Sequence, residues 1–143
     1  MPVSTALDGL ARPPCAELLG WEIIDARPAD GWIRTRFLAR PEFLNPAGYI
    51  QGGFLAAMLD DTMGPAMFIY SEGRLFTPTI EMHVSFLCPA KPGPLYGEGQ
   101  VVQAGKSIAF LEGKLMDLSG TLLARARATA RLVPTGKALS SAA

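Results

Sequence analysis

Residues 45–68 read NPAGYIQGGFLAAMLDDTMGPAMF, and two neighbouring carboxylates, Asp60 and Asp61, stand in an otherwise almost wholly apolar stretch. An ionised carboxylate loses its hydration on burial unless another group replaces it, so acids seldom sit on a buried helix. A partly desolvated Asp has a raised pKa and is a better general base near neutral pH. Gly52 and Gly53 open the same stretch, with Asp60 eight residues beyond Gly52. Glycines there let a backbone come close to a ligand and leave the first-turn N–H groups unobstructed. Together with the helix dipole, those groups suit an anion or a developing oxyanion. The same residues also admit purely structural readings: a Gly-rich helix start, an arginine-paired acid, and in Asn45 a turn former.

Other chemistries fit less well. No His-rich or Cys-rich spacing accompanies the acids, which speaks against a metal site. His83 is the single histidine, so any Ser-His-Asp triad must use it, and no Gly-x-Ser-x-Gly elbow presents a serine. Two distant cysteines, Cys15 and Cys88, suit a reducing cytoplasm rather than a disulfide framework. Thirteen Lys plus Arg balance thirteen Asp plus Glu, so nothing in the overall charge argues for nucleic acid or an anionic membrane. The amino terminus shows no secretion signal, and the apolar runs stop short of the ~20 residues of a membrane span. A cytoplasmic chain is expected, and 143 residues suit a single domain.

The elements that must position these residues follow from periodicity. PPCAELLG reads as a short helix, and WEIIDARPADGWIRTRFLA as two strands around a Pro-Ala-Asp-Gly turn. An irregular loop precedes a helix from about Gly52 to Ser71. Around that helix Asp60 shares a face with Ala56, Ala57, Met63, Gly64 and Met67, whereas Asp61 points about 100° away, towards Phe54, Met58 and Phe68. Pro65 has no N–H for the Asp61 carbonyl, so a kink or widened turn is expected there.

After the helix the period changes to two. In TPTIEMHVSFLC, Ile80, Met82, Val84, Phe86 and Cys88 fall on one face and Thr79, Glu81, His83 and Ser85 on the other. Three more strand-like runs follow, the last alternating Ala124, Ala126, Ala128 and Ala130 with Arg125, Arg127, Thr129 and Arg131. Small residues on the apolar face, including Gly97 and Gly99, leave room for the long helix to lie close. The order implies an α+β fold: one long helix wrapped by a curved, largely antiparallel sheet of about six strands. The first dozen residues and the tail TGKALSSAA are expected to be loose.

LNPAGYIQGGFLAAMLDDTMGPA, TPTIEMHVSFLCPAKPG, VVQAGKSIAF and MDLSGTLLARARATARLV occur in this order. In sequence and separation they resemble the hotdog-fold acyl-CoA thioesterases, the branch with the phenylacetate-pathway enzymes, over roughly residues 18–133. The resemblance implies a hotdog domain, no cofactor, acyl-CoA as substrate, and a homodimer that can pair into a tetramer. In the family a His-Gly-Gly opens the central helix, and an acid nine residues after the His is the catalytic carboxylate. These positions correspond to Gln51, Gly52, Gly53 and Asp60. The family Asn matches Asn45, the Ser or Thr assisting the acid matches Thr79, and the Gly-Lys turn that helps hold CoA matches Gly105 and Lys106, followed by Ser107. The departure is Gln51, which can donate a hydrogen bond but cannot titrate.

The expected activity is therefore hydrolysis of an acyl-CoA thioester, with Asp60 as general base or nucleophile, Thr79 orienting it, and Gly52 and Asn45 polarising the carbonyl. A non-catalytic acyl-CoA or hydrophobic-ligand binding module is the alternative. A hydratase is disfavoured because FLNPAGYI lacks the Asp and His of the Asp-x-Asn-Pro-x-x-His pattern. Phe43, Tyr49, Phe54, Met58, Met63, Met67 and Phe68 are candidate acyl-pocket residues.

Overall fold

In a computed structural model, which describes residues 3–140, the main sheet has six antiparallel strands. They are β1 (Glu22–Arg27), β2 (Trp32–Ala39), β4 (Thr79–Phe86), β5 (Gly93–Ala104), β6 (Ile108–Asp117) and β7 (Leu122–Arg131), in the spatial order β1-β2-β5-β6-β7-β4. Two-residue strands β3 (Leu75–Phe76) and β8 (Val133–Pro134) form a separate small ladder. The helices are α1 (Pro14–Leu19), α2 (Gly52–Tyr70) and α3 (Thr135–Ser140). One long helix against a six-stranded sheet is the architecture that the alternation of the strands and the apolar run of the helix imply, and it matches the hotdog fold implied by the resemblance. No helix among the described residues is long and apolar enough to cross a membrane.

The core lies between α2 and the sheet. Met58, Leu59, Met63 and Met67 of the helix are at most 2 % exposed, as are Leu111, Leu115, Ala124 and Ala130 beneath it. The small residues of the sheet have a steric reason. A Cβ at Gly99 would lie 2.7 Å from the Thr62 carbonyl oxygen, and one at Gly97 2.6 Å from the hydroxyls of Thr35 and Thr62. Those two hydroxyls are buried and 2.9 Å apart, so the helix and sheet are tied here by a satisfied polar pair rather than by apolar contact alone.

Three expectations are corrected. The helix is not buried all round: Gly53, Ala57 and Asp60 are exposed and Ala56 and Gly64 half-buried, so a lane of small residues faces outward. The amino-terminal segment is not loose where described. A 3-10 turn at Ala6–Gly9, capped by the Thr5 hydroxyl, brings Leu7 against Ile33, Ala66 and Ile69, because an apolar side chain there has a core edge to cover. At the other end α3 continues from β8, its Thr135 hydroxyl donating to the Gly73 carbonyl at 2.7 Å. The remaining terminal residues lie outside the described chain.

The third correction concerns strand faces. Pairing of β4 with β7 runs Thr79 to Ala130 and then Glu81 to Thr129, so Ile80 is an extra residue. Such a bulge turns the side chain before it to the opposite face. Thr79 therefore joins the Ala130 side, facing α2, while Glu81, His83 and Ser85 stay on the outer face; Ile80 is left 53 % exposed.

Candidate active site

Helix α2 begins at a cap supplied by its own flank. The Gly53 N–H donates to Gln51 Oε1 at 2.7 Å, and the Gln51 carbonyl accepts from the Phe54 N–H at 3.0 Å. A side-chain oxygen satisfying a first-turn donor is what an N-cap requires, and it leaves the Gln51 amide nitrogen free to donate outward. The Gly52 N–H remains one of the orphan donors of the helix start. A Cβ at Gly52 would come within 3.2 Å of the Phe86 ring, so the aromatic side chain lies directly over this helix end.

Asn45 organises the loop before the helix. Its Oδ1 accepts from the N–H groups of Ala47 and Tyr49 at 3.0 and 3.1 Å, and its N–H donates to the Tyr49 carbonyl at 2.7 Å. Both side-chain partners are donors, which assigns the oxygen inward and directs the amide hydrogens away from the loop. Asn45 is thus both the turn former and a pre-set donor.

Asp60 is exposed, and its Oδ1 accepts from the Thr79 hydroxyl at 2.7 Å. The helix and β4 run past each other, so Thr79 meets Asp60 at one end of the strand and Phe86 meets Gly52 at the other. The desolvated acid is Asp61. Burial, with a smaller contribution from the neighbouring Asp60 charge, raises its pKa to about 6, and its Oδ2 is buried with no partner. Within the single chain the helix turns Asp61 towards the protein and Asp60 towards the outward lane.

Pro65 leaves the Asp61 carbonyl without its helical donor, and Trp21 supplies one. Its indole Nε1–H donates to that oxygen at 2.8 Å, and the helix continues through the proline. Both acids and Thr79 border a cavity of about 340 Å³. Trp21, Pro65, Phe68 and Phe76 form part of its wall, and the amino-terminal segment from Leu7 to Pro13 forms another. Of the seven candidate pocket residues, Phe68 alone lines this cavity. Phe43, Met58, Met63 and Met67 are core, and Phe43 stacks on Phe54 at 4.1 Å between ring centroids. Sequence reasoning missed Trp21 and the amino-terminal wall. A signal for the first was present, an indole just ahead of the first strand that must satisfy its N–H somewhere.

Gly105, Lys106 and Ser107 form the exposed β5–β6 turn, closed by the Gly105 N–H donating to the Ile108 carbonyl at 2.8 Å. Register places the turn at the sheet end that carries Thr79, since Ala104 pairs with Ala109, Ala109 with Ala130, and Ala130 with Thr79. Those three strand spacings are about 14 Å. His83 sits on the outer face, 4.0 Å from Glu81, away from both acids. Among the described residues no three His, Cys, Asp or Glu side chains cluster as a metal site.

Comparison with known proteins bears on the fold and the family. The thioesterase superfamily model matches residues 47–124, from the helix start to β7. A solved structure from Ralstonia eutropha JMP134, a proposed thioesterase and phenylacetic acid degradation-related protein, is 34 % identical. It superposes with a TM-score of 0.81 over 87 % of this chain and 95 % of its own. A proposed esterase of Saccharolobus solfataricus is 30 % identical over 87 residues; the match spans 61 % of this chain and 61 % of that protein's length. A Streptococcus mutans protein solved bound to acetyl-CoA is alike in fold alone, at 16 % identity and a TM-score of 0.69 over 80 % of this chain and 89 % of its own.

Proposed function

We propose that this chain, which belongs to the thioesterase superfamily, hydrolyses acyl-CoA thioesters to the free acid and CoA. The observation that carries the reading is the Thr79–Asp60 hydrogen bond at the edge of an apolar cavity. A hydroxyl donor fixes the orientation of one carboxylate oxygen, leaving the other free to take a proton from water or to attack the carbonyl. If water attacks, Asp60 receives its proton, the thioester carbonyl becomes an oxyanion, and collapse expels the CoA thiolate. The Gly52 N–H and the Asn45 amide, fixed from within its own loop, are the donors suited to that oxyanion. Gln51, already committed as a helix cap, positions this end rather than titrating. Lys106 in the exposed turn with Gly105 and Ser107 suits the CoA phosphates. The mechanism calls for no metal.

The site requires two chains. Gly52 and Asp60 are eight residues apart on one helix, which separates their backbones by roughly 12 Å at 1.5 Å per residue. Both groups must approach the same reacting atoms to about 3 Å. Two helices running antiparallel across a twofold axis bring the start of one beside Asp60 of the other. The outward lane of small residues on α2 and the unpaired edge of β4, where Ile80, Phe86 and Leu87 are more than half exposed, support such a homodimer. Pairing of dimers would complete a tetramer. The chain acts as a single domain, in the cytoplasm.

The test is release of free thiol from a panel of acyl-CoAs, with Asp60→Asn as the control. Turnover abolished by Asp60→Asn supports the reading; tight binding without thiol release by the wild-type protein would make it a binding module instead. Refolding Asp60→Asn together with a Gly52 or Asn45 variant should restore activity, because the heterodimer has one site free of both defects. Heterodimers without activity would refute the shared site.

A further inference from the structure

We infer that the amino-terminal segment, residues 7–13, is the wall that limits the length of the acyl group, so that this enzyme prefers neutral, apolar acyl chains of medium size. The inference rests on the thioesterase reading and extends it to substrate selection. The cavity of about 340 Å³ is continuous with Asp60 and Thr79, the groups assigned to the thioester carbon. An acyl group whose carbonyl sits at Asp60 has this space open to its tail. At about 30 Å³ per non-hydrogen atom it holds about eleven such atoms.

The lining defines the class. Apart from Asp60, Asp61, Arg12 and two threonines, the cavity presents carbon: Trp21, Pro65, Phe68 and Phe76 from the folded body, and Leu7, Leu10, Ala11 and Pro13 from the segment. Two carboxylates beside the reacting end repel an acyl group that carries its own negative charge, and the one lining cation, Arg12, has Glu17 3.9 Å away to offset it.

The segment is built as a strap anchored at its ends. Leu7 is held by the 3-10 turn and by packing on Ile33, Ala66 and Ile69, and Ala16 and Leu19 of α1 are buried. Between those anchors, Ala11 and Arg12 donate no backbone hydrogen bond to the sheet, and residues 10–13 are exposed on their outer side. Side-chain size at Leu7 and Leu10, rather than a backbone ladder, therefore sets where the cavity stops.

The experiment uses the full chain with Leu10→Ala, Leu7→Ala and Leu10→Trp, assayed on straight-chain acyl-CoAs from butanoyl to dodecanoyl and on the anionic succinyl-CoA. The alanine variants should move the kcat/KM optimum to longer chains, by roughly fourfold for each additional methylene accommodated. Leu10→Trp should move it to shorter ones, and succinyl-CoA should be poor throughout. Opposite shifts from enlarging and shrinking one side chain are not produced by general destabilisation. In parallel, affinities of non-hydrolysable alkyl-CoA thioethers are measured in the Asp60→Asn background. If wild-type protein releases no thiol but thioether length preference still follows residues 7 and 10, the thioesterase reading falls and the wall stands. If folded variants keep the wild-type chain-length profile in both assays, or if succinyl-CoA is a preferred substrate, the inference is overturned.

Discussion

Thr79 donates its hydroxyl to Asp60 at 2.7 Å across a strand register that slips by one residue at Ile80. Strict alternation would send Thr79 to the outer face with Glu81 and His83. The hydrogen bond exists because the bulge turns that single side chain back to the helix. Thr79→Val keeps the shape and removes the donor. Without that donor the carboxylate is no longer held in place for the reaction, so kcat should fall about tenfold to a hundredfold, while water re-solvates the exposed acid and the melting temperature barely moves. An unchanged kcat would separate Thr79 from the reaction.

Asp61 makes a pH-dependent contribution with a definite sign. Its folded pKa of about 6 lies above the ordinary 3.8. The folded state therefore holds the proton more tightly, and stability is lost as pH rises from about 4 through 6. Asp61→Asn, permanently neutral, should be more stable than wild type above pH 7, by at most about 3 kcal/mol, and gain nothing below pH 4. Denaturant titrations at the two pH values read the difference directly. The same variant should lose far less kcat than Asp60→Asn; the reverse order would exchange the roles of the two acids.

Trp21 and Pro65 form a compensating pair. Trp21→Phe keeps the cavity wall but orphans the Asp61 carbonyl, at a cost of about 1–3 kcal/mol, and should lower kcat several-fold with little change in KM. Pro65→Ala restores the helical donor to that carbonyl. In the Pro65→Ala background Trp21→Phe should therefore cost much less, giving a coupling a double-mutant cycle can measure. Additive losses would show that Trp21 acts only by packing.

Lys106→Ala should raise KM for acyl-CoA with little effect on kcat, since a cation near the phosphates acts on ground and transition states alike. The difference from wild type should shrink at high salt. A salt-independent loss confined to kcat would point to a different role for the β5–β6 turn.

Activity should survive EDTA and dialysis, because the proposed chemistry uses a carboxylate, a hydroxyl and backbone donors. Loss on chelation, restored by a divalent ion, would replace that mechanism with a metal-assisted one.

The parts of this fold legible in the sequence were those governed by long-range periodicity. The alanine row of β7 and the glycines of β5 announced a helix lying close, and at Gly97 and Gly99 the reason is steric, because a Cβ there would meet Thr62. What was not legible depends on single-residue events. The bulge at Ile80 leaves no mark in composition, since it is an extra residue in an otherwise regular strand. The exposure of Asp60 and burial of Asp61 depend on which side of α2 meets the sheet, a choice nearly neutral in a helix apolar on most of its circumference. Leu7 and Leu10 have no periodic neighbours, so only the finished cavity reveals their part in it.

The strand order has a temporal consequence. β4 finds its ladder partner only in β7, and Phe86 pairs with Ala124, 38 residues further along the chain (124 − 86). At synthesis rates of about 5–20 residues per second, that interval is roughly 2 to 8 s. Throughout it, Met82, Val84 and Phe86 have left the ribosome with no neighbouring strand. Contacts this distant in sequence form late, so the strand that orients Asp60 is among the last to be fixed. Nascent chains stalled before Leu122 should accordingly be the species that chaperones hold.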